Sequence, residues 1–357
     1  MFEAVLERWD GDHVVVRHHP GGAWIFVGIH STRLGPAAGG TRLKQYESAA
    51  AGLEDCLRLA RGMTRKLAVL GLPHGGGKAV IAVTEIPAGD ERRRLFEWYA
   101  DLLNSLGGSF ITGPDVNTGE ADMDVIGERS RHVFCTSLAR GGSGDPSIHT
   151  AYGVFHGIRA SLRHAFGSED LGRRSVLVQG TGSVGAKLVQ LLAEAGATVL
   201  ATDIDEERAR ATGASVVPAA AALTTECDVY APCALGATLN ADSIPGLRCR
   251  VVAGAANNQL ATEADGERLR AAGILYAPDY VINGGGALHG IGLEQLGWSP
   301  DELEAQVEAI GETLAQIYAS ADAHAISTEA AAERLAAERL AALDSRPTEA
   351  QRTVTRA

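Results

Sequence analysis

The chain reads as an α/β protein of two domains, the second built on a parallel sheet with helices on both faces. Three observations give that class. The 357 residues, 45% hydrophobic and 21% charged, suffice for two cores and are ordinary for a soluble globular protein. From Ser175 onward, short apolar runs alternate with helical segments, among them Val176-Leu177-Val178, Thr198-Val199-Leu200-Ala201 and Val251-Val252-Ala253. Strands that are apolar almost throughout are buried on both faces, which is the habit of parallel sheets. A Gly/Ser/Pro-rich stretch at 140–147 separates this part from what precedes it, so domains are expected at 1–147 and 148–325, with a closing helix near 326–345 able to return to the first.

Within the first domain, 14–16 and 24–29 read as strands separated by a His-His-Pro-Gly-Gly turn. Residues 47–62 read as a helix with Ala50, Leu53, Leu57 and Ala60 on one face. Gly75-Gly76-Gly77-Lys78 reads as a glycine turn running into the apolar stretch 79–83, and 92–106 as a helix ended by Gly107-Gly108. A helix at 150–165 opens the second domain. Ser299-Pro300-Asp301-Glu302 is a capping box with proline at the first helical position, ahead of a buried stripe of Leu303, Val307, Ile310, Leu314 and Ile317. From Thr328 the chain is rich in Ala, Glu and Arg, first helical and then a polar tail.

The formal net charge of −12 argues against nucleic acid or an anionic membrane as partner, since either calls for a basic face. No apolar run reaches the roughly 18 residues of a membrane helix, and no signal-peptide core opens the chain. Five scattered cysteines without a C-x-x-C pair suit reduced thiols and a cytoplasmic protein. Eleven histidines show no clustered ligand spacing, so no metal is expected.

Gly180-Thr181-Gly182-Ser183-Val184-Gly185 is a G-x-G-x-x-G placed between an expected strand and an expected helix. Such glycines permit a tight turn and let a pyrophosphate approach the helix N-terminus, whose N–H groups and dipole favour negative charge. Asp203 ends the next strand, where a carboxylate can accept hydrogen bonds from the adenine ribose hydroxyls. A carboxylate there repels a 2′-phosphate and Ile204 beside it carries no positive charge, so a Rossmann-type domain binding NAD is expected. Two small-residue turns suit the far side of the same crevice, one at Cys233-Ala234 and one over Ala253-Gly254-Ala255-Ala256-Asn257-Asn258. The alternative for Asn257-Asn258 is a left-handed turn.

Lys66 and Lys78 flank an apolar, glycine-rich segment, and Asp115 follows Thr112-Gly113-Pro114. In a pocket shielded from water one lysine can hold a carboxylate while the other loses its proton and does chemistry. With these residues in hand, the sequence resembles the glutamate/leucine/phenylalanine/valine dehydrogenase family. The resemblance is carried by 35–42, 63–66, 73–78, 113–116, 180–185 and 253–258, in the family's order.

The resemblance implies two domains separated by a cleft, a homo-oligomer, and reversible oxidative deamination of an L-amino acid to a 2-oxo acid and ammonium with reduction of NAD. It implies Lys66 as the partner of the substrate α-carboxylate, helped by Gly39, Gly40 and Asn258. Lys78 is implied as the catalytic lysine, and Asp115 as the carboxylate that exchanges a proton with the substrate nitrogen. Arg42, Gly180, Thr181, Gly182, Ser183, Val184, Gly185, Asp203, Ile204, Cys233, Ala234, Ala253, Ala255 and Asn257 are implied at the cofactor. Glutamate-using members carry a lysine where Ala38 stands, so glutamate is not expected. Ala38, Gly113 and Ala287, with Gly290, are smaller than their leucine-type counterparts, and a wider pocket prefers a larger apolar side chain. Phenylalanine is therefore expected, with a branched-chain amino acid or tryptophan as the alternative and a non-catalytic NAD sensor as a remote one. His289 is read either at the pocket or on the surface.

Overall fold

In a computed structural model of the protein, residues 2–234 and 236–344 are described, and the polar tail expected after them lies outside this range. The chain divides into two compact units, 1–133 with 334–357, and 134–333.

The first unit comprises α1 (Glu3–Leu6), β1 (His13–His18), β2 (Trp24–Ser31), β3 (Ala37–Gln45), α2 (Ala49–Val69), β4 (Gly75–Val83), α3 (Gly89–Ser105), β5 (Phe110–Pro114) and α4 (Glu120–Gly127). Its sheet has the order β1-β2-β4-β3-β5. β2 is antiparallel to β1 and β4, whereas β3 runs parallel to β4 and β5. Alternation along the strands decides which side chains meet which helix. Ile25, Val27, Ile29, Leu43, Ala79 and Ile81 pack with Phe96, Tyr99, Met123 and Ile126 from α3 and α4. Phe26, Val80 and Ala82 point the other way, onto Leu53, Cys56 and Leu57 of α2.

The triple glycine, expected as a turn, is the start of β4 and is fully buried. A Cβ at Gly75 would overlap the Ser31 carbonyl, one at Gly76 the Thr64 backbone, and one at Gly77 the Phe110 ring. These positions need glycine for close packing on both faces, not for a bend. α2 also runs beyond the expected 47–62, which places Lys66 in its last turn, where a cation complements the helix dipole.

The second unit comprises α5 (Ser147–Phe166), β6 (Ser175–Gln179), α6 (Ser183–Glu194), β7 (Thr198–Thr202), α7 (Glu206–Ala211), β8 (Ser215–Val216), β9 (Val229–Pro232), β10 (Val251–Val252), α8 (Ala264–Ala271), β11 (Leu275–Tyr276), α9 (Asp279–Ile282), α10 (Gly285–Glu294) and α11 (Pro300–His324). All its strand pairs are parallel, in the order β11-β10-β9-β6-β7-β8. Read from β8, this is the doubly wound order 3-2-1-4-5-6, with its switch point between β6 and β9. Ser299 caps α11 with Glu302 in a complete capping box. The last helix, α12 (Thr328–Asp344), ends within the first unit, where Arg339 donates to the Ala68 and Val69 carbonyls at the end of α2. No helix of the described residues is long and apolar enough to cross a membrane.

The change of unit at 133/134 precedes the boundary expected at 147, and hydrogen bonds give the reason. Glu294 of α10 accepts from the Cys135 and Ser143 amides, at 2.6 and 2.9 Å, tying the glycine-rich segment to the second unit.

Candidate active site

Two groups of the expected residues take shape, one in each unit. In the first, Lys78 lies on the α2 side of β4, the side of Val80 and Ala82, and its side chain is 7% exposed. Its Nζ is 3.2 Å from Oδ1 of Asp115, the residue following β5. Asp115 is anchored through its backbone, its amide donating to Thr118 Oγ1 at 2.8 Å while the Thr118 hydroxyl donates to the Thr41 carbonyl at 2.8 Å. Burial opposes charge on the Asp115 carboxyl, but Lys78 and Arg42 outweigh it and hold the group down at about 2. Asp115 is therefore a carboxylate throughout the neutral range.

Gly39 and Gly40 leave the room this pair needs. A Cβ at Gly39 would overlap the Gly77 carbonyl, and one at Gly40 would press on Pro114 O and on Asp115 Cβ. Gly113 is the register partner of Gly40, and Ala38, fully buried, pairs with Gly76 and Ile111. Lys66 is half-buried at the end of α2, two residues after Thr64, whose backbone packs on Gly76.

Arg42 differs from the expectation. Instead of a guanidinium free for a cofactor, it lies between two carboxylates, Nε on Asp115 Oδ2 and Nη1 on Asp55 Oδ2, both at 2.8 Å. Asp55 also accepts from Tyr46 Oη at 2.7 Å and from Arg58 at 2.8 Å. Asp55 and Tyr46 were missed in the sequence. The available signal was an acid beside Cys56, on the stripe Leu53, Cys56, Leu57 that α2 buries.

In the second unit the three glycines of the loop have three separate roles. Gly180 has φ +91° and lies against Ala234. A Cβ at Gly185 would overlap the Gly180 carbonyl, so glycine there lets α6 close on the loop. At Gly182, the N-cap of α6, no described atom lies within 4 Å of a Cβ position, which leaves open the approach to the first-turn N–H groups around Ser183 and Val184. This loop fits a dinucleotide pyrophosphate.

Asp203 follows β7, and its Oδ2 accepts from the Thr181 amide at 2.7 Å and hydroxyl at 3.1 Å. Burial works against its charge, but these bonds and one from the Asp205 amide outweigh it and keep the carboxyl below its ordinary value. Ile204 beside it is 96% exposed.

Cys233 donates its amide to Gln179 O at 2.7 Å, and burial pushes its thiol up to about 12, so it is an inert wall residue. Ala253 is buried and Ala255 half-buried at the end of β10. Asn257 accepts from Asn283 Nδ2 at 2.7 Å, and Asn258 adopts φ +52°, so the left-handed turn is present there.

The position of Gly290 is not empty space. A Cβ there would meet the Phe134 ring at 2.6 Å and Cys135 Sγ at 2.7 Å. Ala287 lies one turn earlier on α10, half-buried. His289 is buried, not on the surface. Its Nε2 donates to Ser143 O at 3.0 Å, which leaves Nδ1 to accept from His149 Nδ1 at 2.9 Å.

A buried lysine–carboxylate pair, in a chain that also carries a dinucleotide loop at the switch point of a doubly wound sheet, defines a dinucleotide-dependent oxidoreductase. Comparison with known proteins gives the family. The family model described as Glu/Leu/Phe/Val dehydrogenase, dimerisation domain, matches residues 14–132, and that for Glutamate/Leucine/Phenylalanine/Valine dehydrogenase matches 141–207 and 201–346. The chain belongs to the glutamate/leucine/phenylalanine/valine dehydrogenase family and is an amino-acid dehydrogenase. It is 42% identical to leucine dehydrogenase of Bacillus cereus over 343 residues, which span 95% of this chain and 93% of that protein. It is 41% identical to valine dehydrogenase of Streptomyces coelicolor over 341 residues, 94% and 93% of the two chains. The crystal structure of L-tryptophan dehydrogenase from Nostoc punctiforme superposes with a TM-score of 0.81 at 37% identity, covering 97% of this chain and all of the other.

Proposed function

We propose that the chain catalyses the NAD-dependent, reversible oxidative deamination of an apolar L-amino acid, with Lys78 and Asp115 as its catalytic residues. The observation that carries this reading is the buried pair itself, an amine 3.2 Å from a carboxylate oxygen. The reaction consumes the amino acid, water and NAD⁺ and yields the 2-oxo acid, ammonium, NADH and a proton. Lys66 and the Gly39-Gly40 backbone hold the substrate α-carboxylate. NAD, when bound, would supply the acceptor for the α-hydrogen. As a neutral amine, Lys78 takes a proton from the water that attacks the resulting imine; as an ammonium, it stabilises the oxygen of the carbinolamine. Asp115 takes a proton from the substrate ammonium before hydride transfer and returns it to the departing nitrogen. Gly180 to Gly185 would hold the pyrophosphate, and Asp203 would accept from the adenine ribose. Asp203 and the exposed apolar Ile204 support NAD over NADP, since neither would welcome a 2′-phosphate.

Ala38 and Gly113 support a large side chain, with phenylalanine as substrate. The packing of Phe134 and Cys135 into the space at Gly290 supports the second reading, a branched-chain amino acid, because one of the absent side chains is replaced there. The dimerisation-domain match supports a homo-oligomer, and five free cysteines support a reducing, cytoplasmic setting. The test is NADH production at alkaline pH from a panel of L-amino acids, run in parallel with NADP. Phenylalanine is expected to give the highest kcat/KM. A tenfold preference, about 1.4 kcal/mol, for leucine or valine would select the second reading, and no production from any amino acid would overturn both.

A further inference from the structure

We propose that Arg42 and Asp55 are positioning residues that fix the Asp115 carboxylate, reserve its Oδ2 and leave Oδ1 as the oxygen that exchanges protons. The inference rests on the proposed role of Asp115 in deamination.

The arrangement is a linear chain of charge. Lys78 Nζ faces Asp115 Oδ1 at 3.2 Å, Arg42 Nε holds Asp115 Oδ2 at 2.8 Å, and Arg42 Nη1 holds Asp55 Oδ2 at 2.8 Å. Beyond Asp55 stand the Tyr46 hydroxyl and Arg58. The Arg42, Asp55 and Asp115 side chains are only 12%, 15% and 15% exposed. The components come from the C-terminal end of β3, from β4, from α2 and from the end of β5, and the register Arg42↔Val80 sets Arg42 on the face that α2 covers.

The chemistry follows from which donors are fixed. A planar guanidinium can span two carboxylates with two different N–H groups, whereas an ammonium is a point charge that cannot hold both edges at once. Oδ2 of Asp115 is engaged by a group that does not give up its proton at any working pH. Oδ1 faces the Lys78 amine at 3.2 Å, on the side away from the guanidinium. Asp55 balances the second cation, so that Lys78, Arg42, Asp115 and Asp55 together are formally neutral. Without Asp55 the full field of Arg42 falls on the Lys78–Asp115 couple and disfavours added protons there. Without Arg42 the field of Asp55 favours them. The two losses push the couple in opposite directions.

The experiment is the pH profile of kcat/KM for the best amino-acid substrate of the full-length enzyme, with Asp55→Asn, Asp55→Glu and Arg42→Gln compared with wild type. NAD affinity is measured alongside by fluorescence titration. Asp55→Asn is expected to move the acid limb to lower pH and Arg42→Gln to higher pH, each by about one unit for a unit charge several ångströms away. Both should lower kcat by roughly tenfold to a hundredfold, the cost of a misaligned reacting group, with NAD affinity unchanged. Asp55→Glu should restore the limb. A purely structural role would lower activity without opposite shifts, and that result would overturn the inference. So would weakened NAD binding in Arg42→Gln with kcat preserved at saturation, which would return Arg42 to the cofactor. Should Arg42→Gln not fold, the shift in Asp55→Asn and its reversal by Asp55→Glu decide the matter. If wild type turns over and the limbs do not move, this inference alone fails; if wild type does not turn over, it falls with the function it rests on.

Discussion

Lys78 and Asp115 are each other's compensation for burial, because a buried charge without a partner costs several kcal/mol. Lys78→Ala should therefore abolish deamination, by about a thousandfold or more in kcat, while NAD still binds as in wild type. Turnover followed by NADH absorbance and binding followed by fluorescence separate the two effects, and retained turnover would place the chemistry elsewhere. At this scale the two members of the buried pair were legible in the sequence, but the groups that support them were not. Lys78, Asp115 and the loop at 180–185 are legible because each sits in a local pattern, a charge among glycines or after a strand. Asp55 and His149 are not, because their partners arrive through the fold: Asp55 meets Arg42 across a strand–helix packing, and His149 meets His289 from a distant helix. No local periodicity encodes a contact of that kind.

Among the elements, β4 and the loop before α6 show two opposite uses of glycine. The sequence alone merged them, since a glycine run resembles a turn whatever lies around it. At Gly76 the missing side chain is occupied by the Thr64 backbone of α2, which cannot rotate away. Gly76→Ala should cost about 1–3 kcal/mol or more, seen as a lower urea midpoint at unchanged slope. Gly182 has an ordinary negative φ of −70° and no described atom within 4 Å of a Cβ. Gly182→Ala should leave the urea midpoint within about 0.5 kcal/mol of wild type while NAD affinity falls, because the methyl enters the space left for the pyrophosphate. Equal loss of stability in the two variants, or NAD binding untouched in Gly182→Ala, would contradict this assignment. The capping box of α11 lies at the other extreme, because its information is contained in four consecutive residues, and the structure reproduces it.

Over the whole molecule, acid sensitivity is distributed between both units. Burial holds His30 and His74 in the first unit, and His149, His156 and His289 in the second, below the ordinary imidazole value. For His149 burial, assisted by the neighbouring His289, brings it to about 4. Each of these rings is favoured neutral in the folded chain and protonates more readily when the chain unfolds. The unfolded state therefore binds more protons below about pH 6.5, and stability, full above that value, is lost as pH falls toward the folded value. For His149 the window runs from about 6.5 to about 4, and by pH 5 its loss amounts to roughly 1–2 kcal/mol. Asp115, held at about 2, extends the acid loss below the ordinary carboxylate range by the same logic. Tm, followed by circular dichroism, should thus stay nearly level from pH 7.5 to about 6.5 and fall from there to pH 5. The double variant His149→Phe, His289→Leu removes two of the titrating rings and leaves Ser143 O without its donor. That lost hydrogen bond lowers Tm by a similar amount at every pH, whereas the lost titration flattens the slope. A parallel displacement of the whole curve, with its slope intact, would show that this histidine pair does not carry its part of the acid response.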